Sequence, residues 1–156
     1  MGKAQLGSHR GLHRQWPGAP PGEEPFRQFV DSVHAYAIYL LDRSGHIRSW
    51  NTGAERINGY RAAEIIGQSF SVLHTPAEIE RGRPQELLQS AARHGRVESE
   101  GWRIRRDGTR FWADAVVTAL HNQNRDVYGY AVITRDLTEK RQLYRPFPFH
   151  HGRVRE

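Results

Sequence analysis

Residues 97 to 134 carry three runs of β-forming residues, and they limit the folds open to this chain more than any other stretch. The first run ends Trp102-Arg103-Ile104-Arg105, and the second begins Phe111-Trp112-Ala113-Asp114-Ala115-Val116-Val117. Between them stands Arg106-Asp107-Gly108-Thr109, whose Asp-Gly pair tolerates the positive φ that a two-residue hairpin turn requires. A third run, Val127 to Thr134, follows the polar loop Asn122-Gln123-Asn124-Arg125-Asp126. A three-stranded antiparallel unit needs something to cover one face.

Upstream residues supply the cover. Phe26, Phe29, Val30 and Val33 recur at helical spacing, which predicts a short amphipathic helix over 26–34. Tyr36 to Leu41 reads as a strand, and Asp42-Arg43-Ser44-Gly45 turns it into a second strand, His46 to Trp50. Asn51 or Thr52 caps a short helix that Gly59 ends, because glycine readily takes the left-handed conformation. Ala62 to Ile66 adds one helical turn, closed by Gly67. Thr75-Pro76-Ala77-Glu78 has the form of a capping box with proline at the first helical position. Gly82 and Pro84 interrupt that helix, and a second piece sets Leu87, Leu88, Ala91 and Ala92 on one side before His94-Gly95 stops it. Helix, two strands, small helices, a longer helix and three strands make an α+β pattern.

Composition removes several function classes. The 156 residues contain no Cys, so disulfides, thiolate chemistry and Cys-based metal sites are excluded. Four of the histidines, His9, His13, His150 and His151, lie in the tails without acidic or Cys partners, and no metal site is expected. No apolar run approaches the roughly 20 residues that span a bilayer, so a cytoplasmic chain without membrane contact is expected. Residues 1–25, rich in Gly, Pro and His, read as a disordered basic arm. The domain is expected over 26–141 and a C-terminal tail over 142–156. There is no supported Ser/His/Asp arrangement, phosphate-binding Gly loop or pair of carboxylates, so no catalytic residues are assigned and no enzyme is expected.

In this order and at this spacing the residues resemble the PAS sensor family. The resemblance covers roughly 26–141 and is closest to the sensory-box PAS domains of bacterial sensor histidine kinases. It rests on Tyr36-Ala37-Ile38-Tyr39-Leu40-Leu41-Asp42 with Gly45, on Trp50-Asn51-Thr52-Gly53-Ala54-Glu55-Arg56 with Gly59-Tyr60, and on Glu64-Ile65-Ile66-Gly67. Glu100-Gly101-Trp102-Arg103, Arg106-Asp107-Gly108-Thr109-Arg110-Phe111-Trp112 and Thr134-Arg135-Asp136-Leu137-Thr138-Glu139 complete it. The resemblance implies a five-stranded antiparallel sheet with short helices on one face and an N-terminal flanking helix, often enclosing a ligand pocket. It implies a sensory module of a bacterial two-component pathway that works by small-ligand sensing or by dimerisation. After Thr138 only eighteen residues remain, too few for a phospho-acceptor helix and an ATP-binding domain. The chain is therefore expected to lack an output domain, or to be a fragment of a longer receptor, and to act on an output kinase or other signalling protein.

Two cofactors known in the family are weighed by the same resemblance. Phe70 falls where light-sensing members carry the adduct-forming thiol. Arg103, Ala113 and Thr134 replace the amides that hold the flavin ring, and His74 replaces the motif's closing Gln. Flavin is not expected. The long helix over about 76–93 has no His for a haem iron; His74 precedes it, and His94 is read as bonding the helix's last carbonyls. Haem is not expected, and a haem sensor stands as an alternative.

Alternation along the central strand puts Phe111, Ala113, Ala115, Val117 and Ala119 on one face and Trp112, Asp114, Val116 and Thr118 on the other. By resemblance the first set faces the helices. Its alanines leave space that either Ile57, Phe70, Leu73 and Leu88 fill or a small apolar ligand does. His74 and Thr134 complete this candidate pocket. On the other face Trp112, Val116 and Ile133, with Phe26 and Phe29 of the helix, form a candidate homodimer surface. Asp136-Leu137-Thr138 resembles the motif that joins the last strand to an output helix, with Asp136 and Thr138 as caps and Leu137 pointing back to the sheet. Arg103, Arg105, Arg106 and Arg110 cluster on one hairpin, but Glu98 and Glu100 stand beside them, and a solvated strand face is favoured. Nucleic acid is not an expected partner; a basic regulator using the N-terminal arm for phosphate contacts is the alternative. Glu55 and Arg106 are read as a surface ion pair.

Overall fold

The computed structural model describes residues 24–138. Helix α1 (Glu24–Ser32) leads into strand β1 (Ala37–Asp42). Three short elements follow: α2 (Thr52–Asn58), α3 (Ala62–Ile65) and a 3-10 turn over Phe70–Leu73. Helices α4 (Pro76–Glu80) and α5 (Arg83–His94) then precede strands β2 (Arg96–Ile104), β3 (Arg110–His121) and β4 (Val127–Asp136). The strands form one antiparallel sheet in the order β1-β4-β3-β2. Helices α2 and α5 pack on the sheet, α4 packs against α5 and α1 against α2, so the architecture is α+β. Among the described residues no helix is long and apolar enough to cross a membrane.

Alternation sets the two faces. Along β3 the buried residues are Phe111, Ala113, Ala115, Val117 and Ala119, as period-two patterning demands. Ala37, Tyr39 and Leu41 of β1 and Val132 of β4 join them, and Ile47, Trp50, Phe70, Leu73, Leu87 and Ala91 close the core from the helical side.

The strand expected over His46 to Trp50 forms only isolated bridges, Leu41 with Ile47 and His46 with Ser69. The cause is local. Two of the β1 donors on that side bond to side chains: Ile38 N–H to Asn51 Oδ1 at 2.8 Å and Leu40 N–H to Ser49 Oγ at 2.9 Å. Asp42 N–H still reaches the His46 carbonyl, and Arg48 and Asn51 N–H reach Leu40 and Ile38. The edge is satisfied, but not as a regular ladder.

Asn51 carries more than a cap. Its Oδ1 accepts from Ala54 N–H at 2.8 Å, the helix-capping bond, while Nδ2 donates to the carbonyls of Val30, Val33 and Tyr36 at 3.0–3.1 Å. One buried amide thus joins α1, β1 and α2. Gly53 permits the approach, since a Cβ there would stand 1.9 Å from the Tyr36 carbonyl oxygen.

The β2–β3 connection is not a two-residue turn. Gly108 N–H bonds to the Arg105 carbonyl and Arg105 N–H to that of Thr109, and only Gly108 has positive φ. A two-residue type I′ turn needs positive φ at both central residues. Asp107 instead stays on the negative side and its Oδ1 accepts from Thr109 N–H and Oγ1. Ile104 consequently pairs with Arg110 and Arg103 with Phe111.

At the other boundaries, α1 begins at Glu24, two residues inside the segment read as an arm. The capping hydroxyl of Thr75 accepts from Glu78 N–H, and α5 ends at Gly95 with His94 Nδ1 bonded to the Ser90 carbonyl at 3.1 Å. The arm over 1–23 and the tail over 142–156 lie outside the described residues.

Candidate functional site

The interior between sheet and helices is polar at its centre. Tyr39 from β1 packs its ring 5.0 Å from Trp50 and 6.4 Å from Phe70. Phe70 meets the His74 ring edge-on at 4.6 Å. The Arg103 guanidinium lies 5.2 Å above the Phe70 ring. A backbone bridge between His74 and Arg103 holds the two side by side. Burial pushes the Tyr39 phenol up, against the opposing pull of Arg103 beside it. Burial, reinforced by the Arg103 charge, holds His74 well below the usual imidazole range. His74 is therefore neutral at pH 7.

Eight of the ten residues expected in the pocket are buried on this side: Phe70, Leu73, His74, Phe111, Ala113, Ala115, Val117 and Thr134. Ile57 and Leu88 are half-buried and pack against the core. Tyr39 and Arg103 were not among the ten, yet both reach the centre. Inward alternation at Ala37, Tyr39 and Leu41 marks the tyrosine. For Arg103 the reading as a solvated strand face is overturned, because it is 5% exposed.

A cavity of about 20 Å³ adjoins this cluster, with His74, Arg83, Ser99 and Arg103 in its wall. Arg83 donates to Ser99 Oγ at 2.9 Å and to Glu86 at 3.4 Å. His74 Nδ1 is 3.1 Å from the Phe70 carbonyl, and Nε2 has no hydrogen-bond partner among the described residues.

The C-terminal end of the sheet is the second feature. Asp136 Oδ2 accepts from Arg105 at 2.9 Å, and Oδ1 accepts from Thr138 N–H at 2.9 Å. Arg105 also donates to the Ile57 carbonyl and lies 4.6 Å above the Phe111 ring. Leu137 N–H bonds to the Trp112 carbonyl, and Trp112 N–H to Thr138 Oγ1. Thr138 thus serves the β3 edge, and the helix expected beyond it lies outside the described residues. A groove of about 560 Å³ beside this junction runs between Arg56, Arg105 and Asp136.

The third feature is the outer sheet face. Cross-strand neighbours Ile38, Ile133 and Val116 form an apolar row, with Ile133 45% exposed. Trp112 and Trp102 pair edge-on at 5.2 Å, and Trp112 Nε1 donates to Glu100. Phe26 and Phe29 are 67% and 68% exposed on α1.

The hairpin arginines are committed within the fold. Arg106 pairs with Glu64 at 2.8 Å rather than with Glu55, whose carboxylate accepts from Ala62 N–H. Arg110 lies 5.0 Å above the Trp102 ring.

Comparison with known proteins agrees with this architecture. The PAS domain family matches residues 35–139. Two-component system protein A of Emericella nidulans is 47% identical over 119 residues, which is 76% of this chain and 17% of that protein. The signal transduction histidine-protein kinase AtoS of Escherichia coli is 27% identical over 111 residues, 71% of this chain and 18% of the kinase. The chain spans less than a fifth of either relative's length. A PAS domain structure from Colwellia psychrerythraea superposes with a TM-score of 0.69 at 28% identity, covering 74% of this chain and 97% of that one. A sensory-box histidine kinase/response regulator domain from Geobacter sulfurreducens shares the fold, with a TM-score of 0.61 at 18% identity over 72% of this chain and 91% of that one.

Proposed function

The chain belongs to the PAS domain family, sensory modules of signal transduction, and we propose that it senses a small ligand, self-associates, and hands its state to a separate signalling protein such as an output kinase. On this reading the chain is a non-catalytic cytoplasmic module. The observation that carries it is the Arg105 junction. One guanidinium touches the carbonyl of Ile57 on the helical layer, the ring of Phe111 on the inner sheet face, and Asp136 where the chain leaves the sheet. A shift of α2 against the sheet is therefore felt at the exit. The histidine kinase and two-component relatives support an output of that class.

Self-association is assigned to the outer face, where Ile133, Val116 and Trp112 combine with Phe26 and Phe29. Exposed apolar residues in a row mark an interface more often than they occur idle. Burial of Arg103 and the commitment of Arg105, Arg106 and Arg110 to partners within the fold speak against the hairpin as a nucleic-acid surface.

Sedimentation tests the assembly. At tens of micromolar, a rough range for weak dimers, the full chain sediments as a dimer. Ile133→Glu, at a side chain already largely in solvent, gives monomer with an unchanged fold. A wild-type monomer would remove self-association from the reading. Native mass spectrometry on the same sample reports any small molecule retained.

A further inference from the structure

We propose that the cavity between His74 and Arg103 binds the carboxyl group of a small monocarboxylic acid. The inference rests on the ligand-sensing reading and changes its ligand from apolar to polar.

Hydrogen-bond logic sets the requirement. A carbonyl oxygen only accepts, so His74 Nδ1, 3.1 Å from the Phe70 carbonyl, holds the ring's proton. Nε2 is then a bare lone pair, on a side chain 3% exposed, without a donor among the described residues. Arg103 sets the opposite requirement. It is a buried cation, and no carboxylate of the described residues lies within ion-pair distance of it. A buried charge without a counter-ion is costly, and a buried acceptor without a donor costs in the same way. Arg83 adds a second guanidinium to the wall, already bonded to Ser99 and Glu86.

A group that satisfies both must offer a donor to Nε2 and an acceptor to the guanidinium. A carboxyl group does so: its O–H donates to Nε2 and its other oxygen accepts from Arg103. Equivalently, the carboxylate binds with His74 protonated. Either way one proton enters with the anion, so the added net charge is zero and one ligand oxygen accepts from the Arg103 guanidinium. The cavity, about 20 Å³, suits a headgroup little larger than water. Glu78 also lines it and opposes a second negative charge, while the Glu100 carboxylate is turned to the outer face beside Trp112. Leu87 lends the wall an apolar side chain, since the Trp102 ring lies on the outer face against Trp112. The site thus selects a monocarboxylate over a dicarboxylate or an inorganic anion.

The test uses the full chain with histidine ring nitrogens labelled for NMR, titrated with sodium acetate, sodium chloride or sodium succinate at matched ionic strength. Acetate moves the His74 Nε2 resonance saturably from its lone-pair position towards the protonated one; chloride and succinate do not. Because one proton accompanies the ligand, apparent affinity falls about tenfold per pH unit above the acid's own pKa. His74→Phe, which keeps a ring but no nitrogen, weakens acetate by about tenfold or more, the worth of one charged hydrogen bond. Arg103→Met does the same from the other side. No saturable shift by roughly 100 mM acetate, beyond any millimolar site, overturns the proposal, as does equal response to chloride or undiminished binding by His74→Phe. Amides of Asp136 to Thr138 separate the two readings. If acetate binds but those amides stay still, the site stands and the sensing reading falls. A different ligand retained without a carboxylate response leaves sensing intact and overturns the site.

Discussion

Arg103 stands directly opposite Phe111 across the β2–β3 ladder, and both side chains enter the interior. The guanidinium covers Phe70 and lies against the Tyr39 phenol, but meets no carboxylate of the described residues. Desolvating a charge in this way often costs more than its contacts return. Arg103→Met keeps the length and apolar bulk. It should leave the free energy of unfolding unchanged or raise it by about 1–4 kcal/mol in ligand-free buffer. Urea denaturation checks this. A loss beyond about 1 kcal/mol would show that the contacts with Phe70 and Tyr39 outweigh desolvation, and that the arginine is kept for stability.

His74 should give the fold a specific acid sensitivity. Its folded pKa is depressed by burial and by Arg103, so the unfolded chain binds the proton more tightly. Where the unfolded state holds more protons, stability rises with pH. The His74 contribution is therefore lost as pH falls below the unfolded value near 6.5, at up to about 1.4 kcal/mol per pH unit. Asp42 acts lower. Burial would raise its pKa, but the His46 amide and Arg48 hold it down, so its share is lost only below the ordinary carboxylate range. Subtracting the pH profile of His74→Phe from wild type should leave a slope between about pH 6.5 and 5. A flat difference would mean that folding leaves the pKa of the ring unchanged.

The buried arginine was hidden from sequence by a single residue of register. A two-residue Asp107-Gly108 turn sets Arg103 against Trp112, on the outer face. The observed loop keeps φ positive only at Gly108 and slips the pairing by one, which turns Arg103 inward. The inner face of β3 was legible because its alternation is strict and its residues apolar. The strand expected at His46 to Trp50 failed for another reason: Ser49 and Asn51 compete for the β1 donors, and which partner wins depends on tertiary position. Likewise Arg106 finds Glu64 rather than Glu55, because the choice among surface carboxylates depends on how α3 docks.

Asn51 separates capping from tethering. Asn51→Asp keeps an oxygen for Ile38 and Ala54 but loses the donor to Val30, Val33 and Tyr36. Asn51→Ala loses both. The alanine variant should cost about 3 kcal/mol, from the cap and the unmet buried groups. The aspartate variant should release α1 selectively, read as faster hydrogen exchange at amides 28–32 with β3 unchanged. Equal exchange in α1 for wild type and Asn51→Asp would show that the helix is held by other contacts.

Arg105 and Asp136 together test how the exit is held. Their side chains are 24% and 29% exposed, and such partly solvated pairs contribute under about 1 kcal/mol. Asp136→Ala should therefore barely change stability. It also removes the acceptor for Thr138 N–H, so exchange at that amide should rise. Arg105→Met should cost more, because it also strips the bond to the Ile57 carbonyl and the cover over Phe111. Both variants should loosen Leu137 and Thr138, whose remaining hold is Trp112 of β3. In a receptor carrying residues 26–145 ahead of a kinase output, both should uncouple ligand response from kinase activity at near-normal fold stability. If Asp136→Ala leaves the response and the Thr138 amide unchanged, Asp136 ends a strand and nothing more, and the Arg105 junction does not transmit.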